Sequence, residues 1–241
     1  MKIQIPKTFM GKPVAGSLER VLAGLNTYPQ NPSQTYSSVN APNLSGYIYV
    51  PSIRLYLAKE RTHPELNWYQ THEELQKEGL RMPTIPQFLE YLKFLQDGHN
   101  DRNEAQAILG DILKVGNWRG EWFDAGFKEI NGQMTISYDH RIMNNVLKAQ
   151  NENEVLLPDY LKEDCWADVF GSANSQWLPT RKLGSSYEQG KNAYFWFPRN
   201  GRVARFGAGS DWAGLYCYGD PTYTSPSLGV FACAEGAAPK N

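Results

Sequence analysis

Cysteine is scarce in this chain, and its spacing suits neither a metal site nor a disulfide framework. Cys165, Cys217 and Cys233 are the only three in 241 residues, none makes a C-x-x-C pair, and the odd number leaves at least one thiol unpaired. A Cys217–Cys233 bridge stays open. Charge of one sign is missing too: 24 Lys and Arg stand against 25 Asp and Glu, the net charge is −1, and no sizeable basic cluster breaks the balance. Phosphate neutralisation needs a basic field, so nucleic acid is excluded as the main partner. No segment approaches the roughly 20 apolar residues of a membrane span. The N-terminal stretch MKIQIPKTFMGKPVAG carries no leader-type apolar run, so neither membrane insertion nor a signal peptide is expected. Histidine is sparse as well. His63, His72, His99 and His140 occur singly in polar contexts and read as surface or hydrogen-bonded side chains. Tyr138-Asp139-His140 sets a histidine beside a carboxylate, but adjacency in sequence does not make a catalytic geometry. No catalytic residue, metal ligand or cofactor is therefore expected.

Aromatic residues are abundant: Tyr 14, Trp 7 and Phe 10, a content suited to a ligand-binding surface. Residues 1–45, rich in Pro, Asn, Ser and Gly, read as an irregular arm packed on a body formed by residues 46–241. Residues 46–60 have the β-branched and aromatic content of strands, with Pro51 at a break. Residues 85–96 place Phe88, Leu89, Leu92 and Leu95 on one helical face behind a Thr84 N-cap, with Pro86 in the first turn. Residues 104–115 repeat the pattern with Ala107, Ile108, Ile112 and Leu113 inward. Beyond Trp118 the chain becomes strand-like and loop-rich: residues 118–123 read as a core strand or turn, 139–149 as a helix or irregular connection, and 150–154 as a solvated acidic loop. Two early helices followed by a twisted, loop-rich antiparallel sheet make an α+β fold.

The run GAGSDWAGLYCYGDPTYTSPS, residues 207–227, lies between two apolar strand-like pieces, 203–206 and 228–234. Within it Leu215 and Cys217 fall on one face of an extended segment, and Gly214, Tyr216 and Tyr218 on the other, so one face packs and the other is free for contact. Tyr provides rigid contact area with a polar handle, and Ser and Gly adapt around it, as on antibody-type binding surfaces.

Residues 78–92, EGLRMPTIPQFLEYL, resemble the G-x-R-L-P-T-x-x-E-[WF] signature of the formylglycine-generating-enzyme branch of the C-type lectin fold, through Gly79, Arg81, Met82, Pro83, Thr84, Gln87 and Phe88. Gln87 stands where that family usually has Glu. With NSQWLPTR at 174–181, AYFWF at 193–197, VARF at 203–206, SDWA at 210–213 and LGVFACAE at 228–235, residues 46–235 are similar to the variable protein of a diversity-generating retroelement, of the archaeal and viral type. The resemblance implies a C-type lectin-like domain whose variable region, about residues 187–227, is rewritten by an error-prone reverse transcriptase at template adenines, mostly in asparagine codons. Such codons yield Tyr, Gly, Ser, Asp and Cys but never Trp, Lys, Gln, Glu or Met. On that rule Gly207, Gly209, Gly214, Tyr216, Tyr218, Gly219, Asp220, Tyr223, Ser225 and Ser227 are the ligand-binding variable positions, Tyr187 and Tyr194 are further candidates, and Trp196 and Trp212 are scaffold.

The function so implied is a non-enzymatic, hypervariable binding protein, displayed on a virion tail or cell surface, whose partner is a protein or glycan on a target cell. Two alternatives are a formylglycine-generating-type oxidase and a calcium-dependent sugar-binding lectin. The first needs a closely spaced cysteine pair, whereas Cys217 and Cys233 are sixteen positions apart. The second needs E-P-N or Q-P-D with W-N-D oxygen ligands. Ser210-Asp211-Trp212 runs in the wrong order, and Asp220-Pro221 lacks companions.

Overall fold

The structure, a computed structural model, describes residues 42–149 and 155–236 together with the backbone of Thr8, Phe9, Lys12 and Pro13. The chain divides into two units, Met1–Ser38 and Val39–Asn241. The described part of the first is an antiparallel pair, β1 (Thr8–Phe9) with β2 (Lys12–Pro13). Of the arm expected over residues 1–45, the remainder of 1–41 lies outside the described residues, as does the acidic loop expected at 150–154.

The second unit opens with a hairpin of β3 (Tyr47–Val50) and β4 (Leu55–Ala58), with Pro51 in the connecting turn. The helix α1 (Trp68–Lys77) follows, which the sequence reading did not anticipate. Asn67 caps it, accepting from the Gln70 N–H at 2.9 Å while the Gln70 side chain accepts from the Asn67 N–H at 3.0 Å. Gly79 closes it at φ 72°, with the Leu80 N–H donating to the Leu75 carbonyl at 2.8 Å and the Gly79 N–H to that of Gln76 at 3.2 Å. The glycine of the sequence motif thus ends one helix, and Thr84 begins the next.

That next helix, α2 (Ile85–Lys93), has the expected Thr84 cap and Pro86 in its first turn, and runs into a π-helical turn at Phe94–Gly98. Phe88, Leu89, Leu92 and Leu95 are buried as the periodicity requires. Phe88 lies at the centre of the core, its ring centroid 4.8 Å from that of Phe123 and 5.9 Å from those of Phe206 and Phe231. In α3 (Arg102–Leu113), capped by Asp101, the buried residues are Ala105, Ile108, Ile112 and Leu113. Ala107 is exposed, contrary to expectation, because a helical period of 3.6 aligns position 105 with 108 and 112.

Strands β5 (Arg119–Ile130), β6 (Gln133–Ser137), β9 (Val155–Leu156), β10 (Cys165–Ala167), β11 (Ala193–Trp196), β12 (Arg202–Ala208) and β13 (Ala213–Gly219) form the main sheet in the order β10-β11-β13-β12-β5-β6-β9, with β14 (Leu228–Gly229) also on β5. The sheet is not purely antiparallel as expected, since β11 runs parallel to β13 and β14 parallel to β5. Residues 139–149 are neither helix nor irregular. They hold a hairpin of β7 (His140–Met143) and β8 (Val146–Ala149), turned by Asn144 and Asn145 at φ 53° and 61°. β15 (Cys233–Glu235) completes a small sheet with β4 and β3. The fold is α+β, with three α-helices among the described residues against the two expected.

Candidate functional site

The two faces of the main sheet are chemically different. Ala193 and Phe195 of β11, Leu215 and Cys217 of β13, and Ala204 and Phe206 of β12 point into the core with α2 and α3. The opposite face carries Trp196, Tyr216, Arg205 and Trp122, which lie in one row across four strands because the register pairs Trp196 with Tyr216, Tyr216 with Arg205, and Arg205 with Trp122; the Trp122 end of the row is fully buried in a second apolar cluster with Trp68, Val203 and Leu228. The adjacent row is Tyr194, Gly214, Gly207 and Gly120. These glycines form a bed on which the rings lie. A Cβ on Gly214 would meet the Trp196 ring at 2.6 Å and the Tyr194 carbonyl oxygen at 2.5 Å, and one on Gly207 the Arg119 carbonyl oxygen at 3.0 Å with the Tyr216 ring at 3.7 Å.

The aromatic rings pack as a continuous group. Trp196 stacks on Tyr216 with centroids 3.7 Å apart and planes 10° from parallel, and Trp212 stands edge-on to both at 5.2 and 5.3 Å. Tyr194 and Tyr218 flank Trp196 at 4.4 and 6.3 Å. Next to them the Arg205 guanidinium is held over the rings of Tyr216 at 4.9 Å, Trp118 and Tyr223 at 5.5 Å, and Trp122 at 5.9 Å. Such a cage stabilises a cation through the ring quadrupoles. Burial pulls the Arg205 pKa down, and its Nε is buried with no hydrogen-bond partner among the described residues. A second cation, Arg199, lies 4.9 Å over Tyr218 and pairs with Asp164 at 2.9 Å.

Not every expected site residue joins this face as expected. Tyr218 is half-buried at its rim and Tyr223 is 45 % exposed. Tyr194 is half-buried within the group. Tyr216 is not a free contact residue: at 6 % exposure it is the floor of the cluster, and burial pushes its hydroxyl pKa up. Trp212 and Trp196, expected as scaffold, are partly buried and belong to the aromatic face. Gly207, Gly209, Gly214 and Gly219 are buried packing positions, not display positions. A Cβ at Gly209 would lie 2.5 Å from the Trp212 ring, and one at Gly219 would lie 2.8 Å from the Val203 carbonyl oxygen. Tyr187 is spent elsewhere, donating its hydroxyl to the Leu113 carbonyl at 3.0 Å. Asp220 is exposed and organises its turn through Thr222 at 2.7 Å and Arg202 at 3.2 Å. Ser225 and Ser227 are half-exposed, and the Ser227 carbonyl accepts from the Gly120 N–H at 2.9 Å. Arg205 and Trp118 were missed, although the alternation in Val203-Ala204-Arg205-Phe206 already sets Arg205 opposite the core side chains.

Elsewhere, three separate elements converge on one buried carboxylate. Asp124 of β5 lies 2.5 Å from His140 Nδ1 of β7 and 3.7 Å from His72 Nε2 of α1. The histidines read as isolated in the sequence therefore meet, and the carboxylate beside His140 in space is Asp124, not Asp139. Burial holds the His72 pKa down at about 4. His72, Asp124 and His140 are a donor set that a metal ion could use. A second buried carboxylate, Glu121, is pushed up to about 7 by burial, against the pull of Arg119 at 3.9 Å and Arg61 at 3.6 Å. All three cysteines are free thiols, so Cys217 and Cys233 are not bridged. A depression of about 640 Å³ beside β6 and β9 is lined by residues including Met134, Tyr160 and Phe197 and contains no His or Cys.

No protein-family model, curated protein or solved structure matches the chain. Among the described residues, no helix is long and apolar enough to cross a membrane.

Proposed function

We propose that this protein is a non-enzymatic ligand-binding protein, with a C-type lectin-like scaffold that presents the aromatic face of β11, β12 and β13 to a protein or glycan on a target cell surface. The observation that carries this reading is the partly exposed ring group of Trp196, Tyr194, Trp212, Tyr218 and Tyr223 around Arg205, resting on buried Tyr216 and on Trp122, which belongs to a second core cluster. Large rings held rigid before binding lose little entropy on contact, and the Arg205 guanidinium, with no anionic partner among the described residues, offers a ligand a charge-assisted hydrogen bond. The free, buried thiols Cys217 and Cys233 have pKa values raised by burial, which opposes thiolate chemistry and so disfavours the oxidase alternative.

The retroelement reading, with display on a virion tail or cell surface, rests on the sequence resemblance and is narrowed by the packing. Variation fits Tyr194, Tyr218, Asp220, Tyr223, Ser225 and Ser227, whose side chains are exposed or half-exposed. It does not fit Gly209, Gly214 or Gly219, where an added Cβ strikes a ring or a backbone oxygen. The test is to screen the full chain on arrays of cell-surface glycans and extracellular protein domains, then to repeat each hit with Tyr218→Ser and Tyr223→Ser. Each substitution is expected to cost roughly 1–4 kcal/mol of binding. Hits that bind both variants as tightly as the parent contradict the assignment of this face.

A further inference from the structure

The proposed function makes no use of the buried group formed by His72, Asp124 and His140, in which His72 Nε2 has no hydrogen-bond partner among the described residues. Asp124 lies between Trp122 and Gly126, where the pairing of β5 with β12 is interrupted. Its backbone N–H donates to the Pro83 carbonyl at 2.9 Å instead of joining the ladder. Irregularities of this kind re-aim a side chain, and here the carboxylate faces α1 and β7. Its Oδ2 is engaged by the His140 backbone N–H at 3.1 Å, while Oδ1 faces both imidazoles.

His140 is held at both ring nitrogens. Its Nε2 lies 3.3 Å from Ser137 Oγ, whose hydroxyl also reaches the Gly126 carbonyl at 3.4 Å. Its Nδ1 lies 2.5 Å from Asp124 Oδ1, close enough that a hydrogen lies between them. His72 Nε2 is buried with no hydrogen-bond partner among the described residues, at 3.7 Å from Asp124 Oδ1, and its residue is 4 % exposed. Three atoms able to bind a metal ion thus converge, all within 4.8 Å of one another. Trp68 fixes the rings: it stands edge-on to His72 at 4.4 Å and to His140 at 4.9 Å, and is itself anchored by its Nε1–H to the Phe123 carbonyl at 2.8 Å.

We infer that His72 Nε2, Asp124 Oδ1 and His140 Nδ1 form a binding site for one divalent transition ion, of which zinc fits best, pinning α1 and β7 to β5. Two imidazoles and a carboxylate are borderline ligands that suit zinc and do not suit calcium or magnesium. Tetrahedral ligands at zinc stand about 3.3 Å apart, so His140 and Asp124 must separate by about 0.8 Å, while His72, 3.7 Å from Asp124 and within 4.8 Å of His140, must close by up to about 1.5 Å. Side-chain rotation supplies movements of this size. A bound ion takes the place of the hydrogen between His140 Nδ1 and Asp124 Oδ1, and Nε2–H then donates to Ser137 Oγ, the outer contact that orients the ligand ring. The fourth coordination position is left for water.

The test uses the full chain, stripped with a chelator and then titrated with zinc by calorimetry and with cobalt(II) by visible absorption. The expected result is one ion per chain, tetrahedral cobalt bands, and a rise in Tm on zinc addition. His72→Ala and Asp124→Asn should abolish the cobalt bands, and Ser137→Ala should keep them while weakening zinc binding by roughly tenfold. A parent chain that shows neither saturable one-to-one binding nor a Tm shift overturns the inference. So does binding that persists unchanged in both the His72 and Asp124 variants.

Discussion

Tyr216 is held on several sides at once: stacked on Trp196, edge-on to Trp212, under the Arg205 guanidinium and over Gly207. Replacing it with serine removes a buried ring and opens a cavity, at a cost of about 3–5 kcal/mol. Leu215→Ala, on the core face of the same strand, should cost about 2–5 kcal/mol. Tyr218, half-buried at the rim, should tolerate serine within about 1 kcal/mol. Chemical denaturation of the three variants should therefore set Tyr218→Ser apart from the other two. If Tyr216→Ser unfolds at the midpoint of Tyr218→Ser, the stacking is not holding this face together. The alternation of Leu215 and Cys217 against Tyr216 and Tyr218 was legible in the sequence, and the sidedness follows it. The depth of Tyr216 was not legible, because it depends on Trp196 and Arg205 arriving from neighbouring strands.

At the scale of elements, α2 was readable because its apolar period and Thr84 cap agree, whereas α1 was hidden by its composition. Its inward face is Trp68, Thr71, His72 and Leu75, half of it polar, so no apolar stripe announces a helix. The remaining signal was the capping box of Asn67 and Gln70, which closes two backbone donors at the helix start. Asn67→Ala should cost about 1 kcal/mol, and Asn67→Gly only a few tenths, since glycine reopens the backbone to water. Equal losses for the two in thermal unfolding would show that the side-chain cap contributes nothing. The hairpin β7–β8 was equally hard to read, because its signal is two adjacent asparagines in a left-handed turn and not an apolar pattern.

For the whole molecule, the hardest features to read were those assembled from distant segments. His72, Asp124 and His140 come from a helix, a strand and a hairpin, and Glu121 meets Arg61 across sixty positions of sequence. Glu121 gives the protein a pH signature. Its folded pKa, raised to about 7, lies above that of the unfolded chain, so as pH rises from about 4.5 the unfolded state releases its proton first and stability falls until the folded pKa is passed. The slope approaches ~1.4 kcal/mol per pH unit for this group, and the loss is complete above about pH 7. Glu121→Gln should remove that component, measured as the difference between the two stability profiles. Parallel profiles for parent and variant between pH 5 and 7 would mean that Arg61 and Arg119 keep the carboxylate ionised throughout. The central claim concerns the aromatic face, and its most direct test is to sequence sibling genes or a template repeat of this gene. Adenine-directed differences are expected at the codons of exposed or half-exposed positions such as Tyr218, Asp220, Tyr223 and Ser225, with Gly209, Gly214 and Leu215 unchanged. Differences spread evenly over all four bases, or gathered at the glycine bed and the core face, would contradict it.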